Sequence, residues 1–255
     1  YNTEASFHKQ HRNGLEQVTA FDRVARGLHF ANTNAEYANI ASLNSAGEVS
    51  NTDEGLSFSF WVKFDGSTRV NRGIIGGDQV QVFHHDSGAN KYIGLRFERS
   101  PGGAWQGVDF DVATVDFSDW RHVIVSVDLT NFHTARMTID GIEMAYYVTP
   151  SIISNPILPI SGELNVGIAA PSGGTTFPLM GSIMNFAYFN KFIHNDPVAL
   201  QILANHELRD DIKQVDGLVN FWFLGEESSL SIGDTIPNGT TLNSIYGLYT
   251  ETFTI

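Results

Sequence analysis

From Leu56 to Phe64 the chain alternates without a slip: Leu56, Phe58, Phe60, Val62 and Phe64 are interleaved with Ser57, Ser59, Trp61 and Lys63. A period of two sends the apolar set to one side of a pleated strand, whereas a helix would scatter the same rings around its axis. The segment therefore has to join a sheet with one face on a core. Shorter stretches repeat the pattern: Leu28-His29-Phe30, Tyr37-Ala38-Asn39-Ile40, Ile74-Ile75, Val80 to His84, Tyr92 to Glu98, Val108 to Val115, Trp120 to Leu129, Ala135 to Ile139, Ala145 to Val148, Leu164 to Ala169, Ser182 to Phe189 and Leu218 to Leu224. Turns rich in Gly, Asn, Asp and Pro separate them. With 24 Gly, 18 Phe and 17% charged residues, the composition suits many short strands over an aromatic core better than a helical bundle.

Local signals give the connections. Asp140-Gly141 between Arg136-Met137-Thr138-Ile139 and Ile142-Glu143-Met144 fits a two-residue hairpin turn, which needs positive φ at both central positions. Asp196 as N-cap, Pro197 at the first helical position, then Val198, Leu200, Ile202 and Leu203 predict one short helix. Residues 1–27 are read as an N-terminal arm with a helix from Gly14 to Arg26, capped by Asn13 with Glu16 and closed by Gly27; packing on its own sandwich and docking on a neighbouring subunit are both open to it. Residues 28–255 are read as a single domain, within the usual size for a β-sandwich, with Leu28–Phe30 and Phe221–Phe223 expected side by side.

The 255 residues carry a formal charge of −13 with 15 Lys plus Arg, so the basic footprint of a nucleic-acid binder is missing and an anionic membrane surface would repel the chain. Neutral or cationic partners are favoured. The absence of Cys removes disulfides, thiolate nucleophiles and Cys-ligated zinc. No apolar run reaches the ~18 residues of a membrane-spanning helix, so membrane insertion is not expected.

The order of motifs resembles the laminin-G-like jelly-roll family of the concanavalin A-like lectin/glucanase superfamily. Leu56-Ser57-Phe58-Ser59-Phe60-Trp61-Val62-Lys63 is similar to its early strand, Asp119-Trp120-Arg121-His122-Val123 to its Trp-x-His-Val strand, and Met137-Thr138-Ile139-Asp140-Gly141 to the hairpin that follows. Gly162-Glu163-Leu164-Asn165-Val166-Gly167, Gly181 to Asn190 and the helix at 196–206 resemble its late elements. The resemblance implies an all-β, two-sheet antiparallel jelly-roll sandwich, with ligands taken at a concave face or at rim loops; the N-terminal arm falls outside it. The fold hosts lectins, adhesion modules, hydrolases and structural subunits, so function must come from a site.

Several residues are candidates for one. His85 and Asp86 end a strand, Arg99 and Trp105 flank a Pro-Gly-Gly loop, and this loop aromatic would suit a sugar ring or a protein partner. His84 and His85 point to opposite strand faces and cannot share one metal ion without a bulge. Calcium is a candidate at Asp53, Asp78, Asp86 or Asp128, since relatives hold it through Asp and carbonyl oxygens at the rim. Asp109-Phe110-Asp111, with Asp116 beyond, is the nearest approach to a glycosidase carboxylate set, but lacks a third member at the same spacing. Trp61 and His122, with Ser59 and Ser126 on their strand faces, are candidates for the concave face, though residues of this kind more often serve packing. Asn238-Gly239-Thr240 is a glycosylation sequon only in a secretory setting.

The expectation is a non-catalytic binding or adhesion module that recognises glycan or protein through rim loops, displayed on a virion, cell surface or large assembly, with an extracellular, cell-surface or virion location. The alternatives are a structural subunit held in a homo-oligomer by residues 1–27 and its C-terminal tail, and a glycoside hydrolase.

Overall fold

The computed structural model describes residues 24–30, 38–40, 54–66, 70–77, 79–98, 105–129, 134–147, 164–169, 176–204, 215–222, 242–245 and 249–254. Its strands are β1 (Val24–Phe30), β2 (Ala38–Ile40), β3 (Gly55–Phe64), β4 (Asn71–Gly77), β5 (Val80–Asp86), β6 (Lys91–Glu98), β7 (Trp105–Asp111), β8 (Arg121–Asp128), β9 (Ala135–Ile139), β10 (Ile142–Glu143), β11 (Leu164–Val166), β12 (Ile168–Ala169), β13 (Phe177–Pro178), β14 (Gly181–Phe189), β15 (Leu218–Trp222), β16 (Leu242–Ile245) and β17 (Tyr249–Thr254). A 3₁₀ turn (Ile193–Asn195) leads into helix α1 (Pro197–Ala204).

Two antiparallel sheets form the sandwich. Sheet one runs β10-β9-β8-β3-β14-β1-β17, with β15 also on β14; sheet two runs β16-β2-β11-β4-β5-β6-β7. The alternation in β3 is realised as read: Leu56, Phe58, Phe60, Val62 and Phe64 enter the core between the sheets, joined by Val123, Val125 and Val127 of β8 and Val82, Ile93, Leu95, Val108 and Phe110 of sheet two. Phe58 stacks on Phe186 and Tyr188 of β14, with ring centroids 5.9 and 5.5 Å apart. Each such ring, fully withdrawn from water, stabilises by roughly 1.5–3 kcal/mol. The Asp140-Gly141 hairpin has positive φ at both residues, 50° and 77°.

The outer face of sheet one is covered as well. Ile124, Ala187 and Phe189 pack against Ile193, Ala199, Leu203 and Val215. Asp196 caps α1, its carboxylate accepting from the Val198 and Ala199 N–H groups at 3.0 Å. Beneath the helix runs a buried polar chain. The Lys191 carbonyl can only accept, so the single Ser57 hydroxyl proton is committed to it at 2.5 Å. Ser126 then donates to Ser57 at 2.7 Å, and His194 Nδ1 donates to Ser126 at 2.7 Å. The Ile193 N–H also donates to Ser57. This order leaves His194 Nε2 unprotonated and without a hydrogen-bond partner in a buried position.

On the other flank the chain crosses from β10 to the edge of sheet two. Asp111 N–H donates to the Ala145 carbonyl at 2.8 Å, and Tyr147 N–H to that of Asp109 at 2.8 Å. The stitch satisfies the free edge of β7, where an open edge would invite association.

Several expectations change. Val24–Arg26 are strand, paired with β17, and not the end of a helix; the rest of the predicted arm helix lies outside the described residues. β7 begins at Trp105 and ends at Asp111, where the Asp111 carboxylate caps a turn at Ala113 N–H, so Val112 to Val115 are not strand. Tyr146 makes an isolated bridge to Phe110 in place of a strand over 145–147, and Val148 lies outside the described residues. Gly167, at φ 93°, divides Leu164 to Ala169 in two. β1 and β15 are not neighbours: both lie on the same edge of β14, β1 against Gly181–Ile183 and β15 against Phe186–Phe189. Trp61 and His122 stack at 5.1 Å on the outer face of sheet one, where His122 is buried and bonds Ser59 at 2.9 Å, so they serve packing and not a ligand face.

Candidate functional site

The outer face of sheet two follows from strand register. Residues that do not enter the core align in rows across β4, β5, β6 and β7. The first row is Asn71, His85, Tyr92 and Asp111, and the second is Gly73, Phe83, Gly94 and Asp109. The third is Gly76, Gln81, Arg96 and Gly107; Glu98 opposite Trp105 begins the fourth.

Two walls bound this face. A Cβ at Gly76 would meet the Ile168 carbonyl at 2.5 Å, and one at Gly73 would collide with the Ala169 and Phe177 backbone. These glycines therefore seat the β12–β13 hairpin directly on β4. Opposite, the 145–147 stitch brings Tyr147 over Tyr92. Between them lies a shallow trough floored by β5 and β6, in which Phe83 and Gly94 are buried and His85, Tyr92 and Arg96 half-buried.

Its aromatic lining is continuous. His85 stacks on Tyr92 at 4.7 Å and an interplanar angle of 19°, and Tyr147 packs against Tyr92 at 5.0 Å with a tilt of 31°. His85 Nδ1 donates to Asn71 Oδ1 at 2.8 Å, and the Tyr147 hydroxyl to Asn90 Oδ1 at 2.7 Å, which fixes both rings. Burial, with Asp109 nearby, pushes the Tyr92 phenol up from its ordinary value. In the next row Gly94 leaves room: a Cβ there would sit 2.6 Å from the Phe83 ring and 2.8 Å from the Asp109 carboxylate.

The charge of Arg96 is already committed. Its Nη2 meets Asp109 at 2.6 Å, its Nη1 donates to the Leu95 and Val108 carbonyls at 3.3 and 3.1 Å, and its guanidinium lies 5.1 Å from the centre of the Phe83 ring. Asp111 is exposed at the mouth of the trough.

Of the residues singled out in the sequence, His85 stands in the first row. Asp86 lies beyond it and is engaged by Lys91 at 3.4 Å and Gly88 N–H at 3.0 Å; the latter helps hold its carboxyl below the ordinary value. Trp105 is not a loop aromatic: it starts β7, half-buried, opposite Glu98. It shares the face with His85, but six residues of strand place it about 20 Å from that row. Arg99, Asp53 and Asp78 lie outside the described residues. Asp128 is in sheet one, remote from Asp86, in a cleft of about 660 Å³ with Glu54, Lys191 and Asp196. Lys191 in that cleft is held by Asp216 at 2.5 Å. Among the described residues no three His, Cys, Asp or Glu side chains are grouped to hold a metal ion.

Sequence reasoning passed over Tyr92, Arg96, Tyr147 and Gly94. The signal for Tyr92 was the short turn 87–90: Asp86 pairs with Lys91, so His85 must face Tyr92. Tyr147 had none, because it arrives by a cross-sheet connection.

The chain belongs to the concanavalin A-like lectin/glucanases superfamily, whose laminin-G family model matches residues 32–199. Among solved structures it is similar to a protein of inferred carbohydrate binding from Bacteroides ovatus, at 14% identity and a TM-score of 0.55, covering 91% of this chain and 62% of that one. It is also similar to a native heptameric SAP-like pentraxin from Limulus polyphemus, at 11% identity and a TM-score of 0.48, covering 66% of this chain and 77% of that one. A third is the CBM40 of a Ruminococcus gnavus IT-sialidase, at 14% identity and a TM-score of 0.44, covering 69% and 96% respectively. These likenesses concern the fold. Comparison with curated protein sequences gives no match.

Proposed function

We propose that this chain is a non-catalytic, lectin-like module that binds a saccharide in the sheet-two trough, from an extracellular, cell-surface or virion setting. The observation that carries the reading is the stacked His85–Tyr92–Tyr147 row beside the carboxylates of Asp109 and Asp111. A pyranose ring sets its apolar C–H groups against the exposed edges and terminal faces of such a row while its hydroxyls reach flanking acceptors. Superfamily membership makes this site chemistry familiar in kind without assigning it. Among the described residues no helix is long and apolar enough to cross a membrane.

Hydrolysis is disfavoured on this reading because, of the nearest catalytic-like set, Asp109 is consumed by an ion pair, which leaves Asp111, with one oxygen still open, no second free carboxylate beside it on β7. Asp109 is tied to Arg96, Asp111 to the Ala113 N–H and Asp116 to the Ser118 N–H. A glycosidase needs one such group to protonate the leaving oxygen and another to attack or activate water.

The test is a glycan array followed by calorimetry on the array hits with Tyr92→Ala and Tyr147→Ala. Each substitution is expected to weaken binding at least tenfold, in line with the ~1–3 kcal/mol lost when a stacking aromatic is truncated in recognition sites. Binding unaffected by either change would remove the trough from the account.

A further inference from the structure

The trough's polar groups sort by donor and acceptor in a way that bears on the ligand's chemistry. His85 Nδ1 is spent on Asn71, which leaves Nε2 as the ring nitrogen that can accept from a ligand. The Tyr147 hydroxyl proton is spent on Asn90. Asp111 faces solvent opposite Tyr92, and among the described residues no cation is paired with it. Arg96 is the one cation in the aligned rows, and Asp109, two backbone carbonyls and the Phe83 ring occupy it. Lys91, at the end of the trough, is paired with Asp86. What remains open to a ligand among the described residues is the Asp111 carboxylate, His85 Nε2 and the neutral Tyr92 hydroxyl and Asn71 amide beside the aromatic row, with no unpaired cation among them, in a chain of net charge −13.

From this arrangement we infer that the trough selects an uncharged saccharide, read as a donor through adjacent hydroxyl groups, and rejects glycans bearing carboxylate, sulfate or phosphate on the bound unit. The inference rests on the saccharide-binding reading above and narrows it to a substrate class. A hydroxyl donates to Asp111 and to His85 Nε2, forming charge-assisted and neutral hydrogen bonds respectively. An anionic substituent cannot donate to Asp111, meets no unpaired cation among the described residues and is brought close to that carboxylate, so it forgoes the charge-assisted hydrogen bond and adds like-charge repulsion. Like-charge repulsion at an exposed carboxylate is screened by salt, and this gives the inference a signature that shape selectivity lacks.

The experiment titrates the full chain with neutral oligosaccharides and with the same oligosaccharides carrying a terminal sialic acid or sulfate, at about 20 mM and about 300 mM salt. Neutral forms are expected to bind at least tenfold more tightly at low salt, with the gap narrowing at high salt. Asp111→Asn is expected to weaken the neutral ligand severalfold and to shrink the discrimination to below about threefold at low salt. Tyr92→Ala, with folding verified by circular dichroism, should weaken binding of both forms at least tenfold. Equal or tighter binding of the anionic form that still depends on Tyr92 would overturn this inference and leave the saccharide reading standing. Absence of binding to every glycan would overturn the saccharide reading itself, and this inference with it.

Discussion

His84 and His194 are buried bases held neutral, and lowering the pH puts both under strain. His84 lies at the inner end of β5, 4.7 Å from the Phe64 ring and 5.5 Å from Phe117, accepting from the Arg72 guanidinium at 3.1 Å. Burial, then the charge of Arg72, lowers its pKa to about 3. Burial, then Arg136, lowers that of His194 to about 4. The unfolded chain takes up both protons near the ordinary value of about 6.5, so below that pH it binds more protons than the folded chain. Stability is therefore full above pH ~6.5 and falls as the pH drops, down to about 4 for His194 and about 3 for His84. The slope is about 1.4 kcal/mol per pH unit for each histidine, so each costs about 3 kcal/mol at pH 4. Against a total of roughly 5–15 kcal/mol, the pair brings the fold close to unfolding there. Urea midpoints followed by tryptophan fluorescence from pH 7 to 4.5 measure the slope. His84→Gln, which keeps an acceptor for Arg72 without titrating, and His194→Asn should each remove about half of it, whatever they do at pH 7. Flat stability across this window, or a slope indifferent to both substitutions, would refute the reasoning.

Two further outcomes are expected. Ser57→Ala removes the hydroxyl that joins the Lys191 carbonyl, the Ile193 N–H and Ser126, and should cost about 2–4 kcal/mol in chemical denaturation, because buried partners are left unpaired. Gly94→Val places atoms against the Phe83 ring and the Asp109 carboxylate, so it should lower stability by about 1–3 kcal/mol and abolish saccharide binding in calorimetry even where the protein still folds.

The sandwich was legible because its strands obey local rules. β3 alternates without error, Asp140-Gly141 can hardly be anything but a tight hairpin, and Asp196-Pro197 opens a helix with its own cap. The faces of the strands were less legible. Ser57, Ser59, His122 and Ser126 read as a solvated or ligand-bearing face, yet α1 and the 3₁₀ turn lie over part of that face and turn its hydroxyls into a buried chain. Periodicity states that two faces differ and not what covers each. Trp105 was misjudged for the opposite reason: its Gly-rich surroundings hid a strand that exists only because β6 offers it a partner from Tyr92 to Glu98. Of the residues in the proposed site, only His85 had drawn notice in the sequence, while Tyr92 and Arg96 needed the register and Tyr147 needed the crossing between sheets.

Chemical-shift mapping of the labelled 28.1 kDa chain during titration with a neutral oligosaccharide tests the central claim most directly. The account predicts saturable shifts gathered on Asn71, His85, Tyr92, Gly94, Asp109 and Tyr147, with the amides of Glu54, Asp128 and Lys191 unmoved. Shifts centred on the Glu54–Asp128–Lys191 cleft, or none with any saccharide, would contradict it.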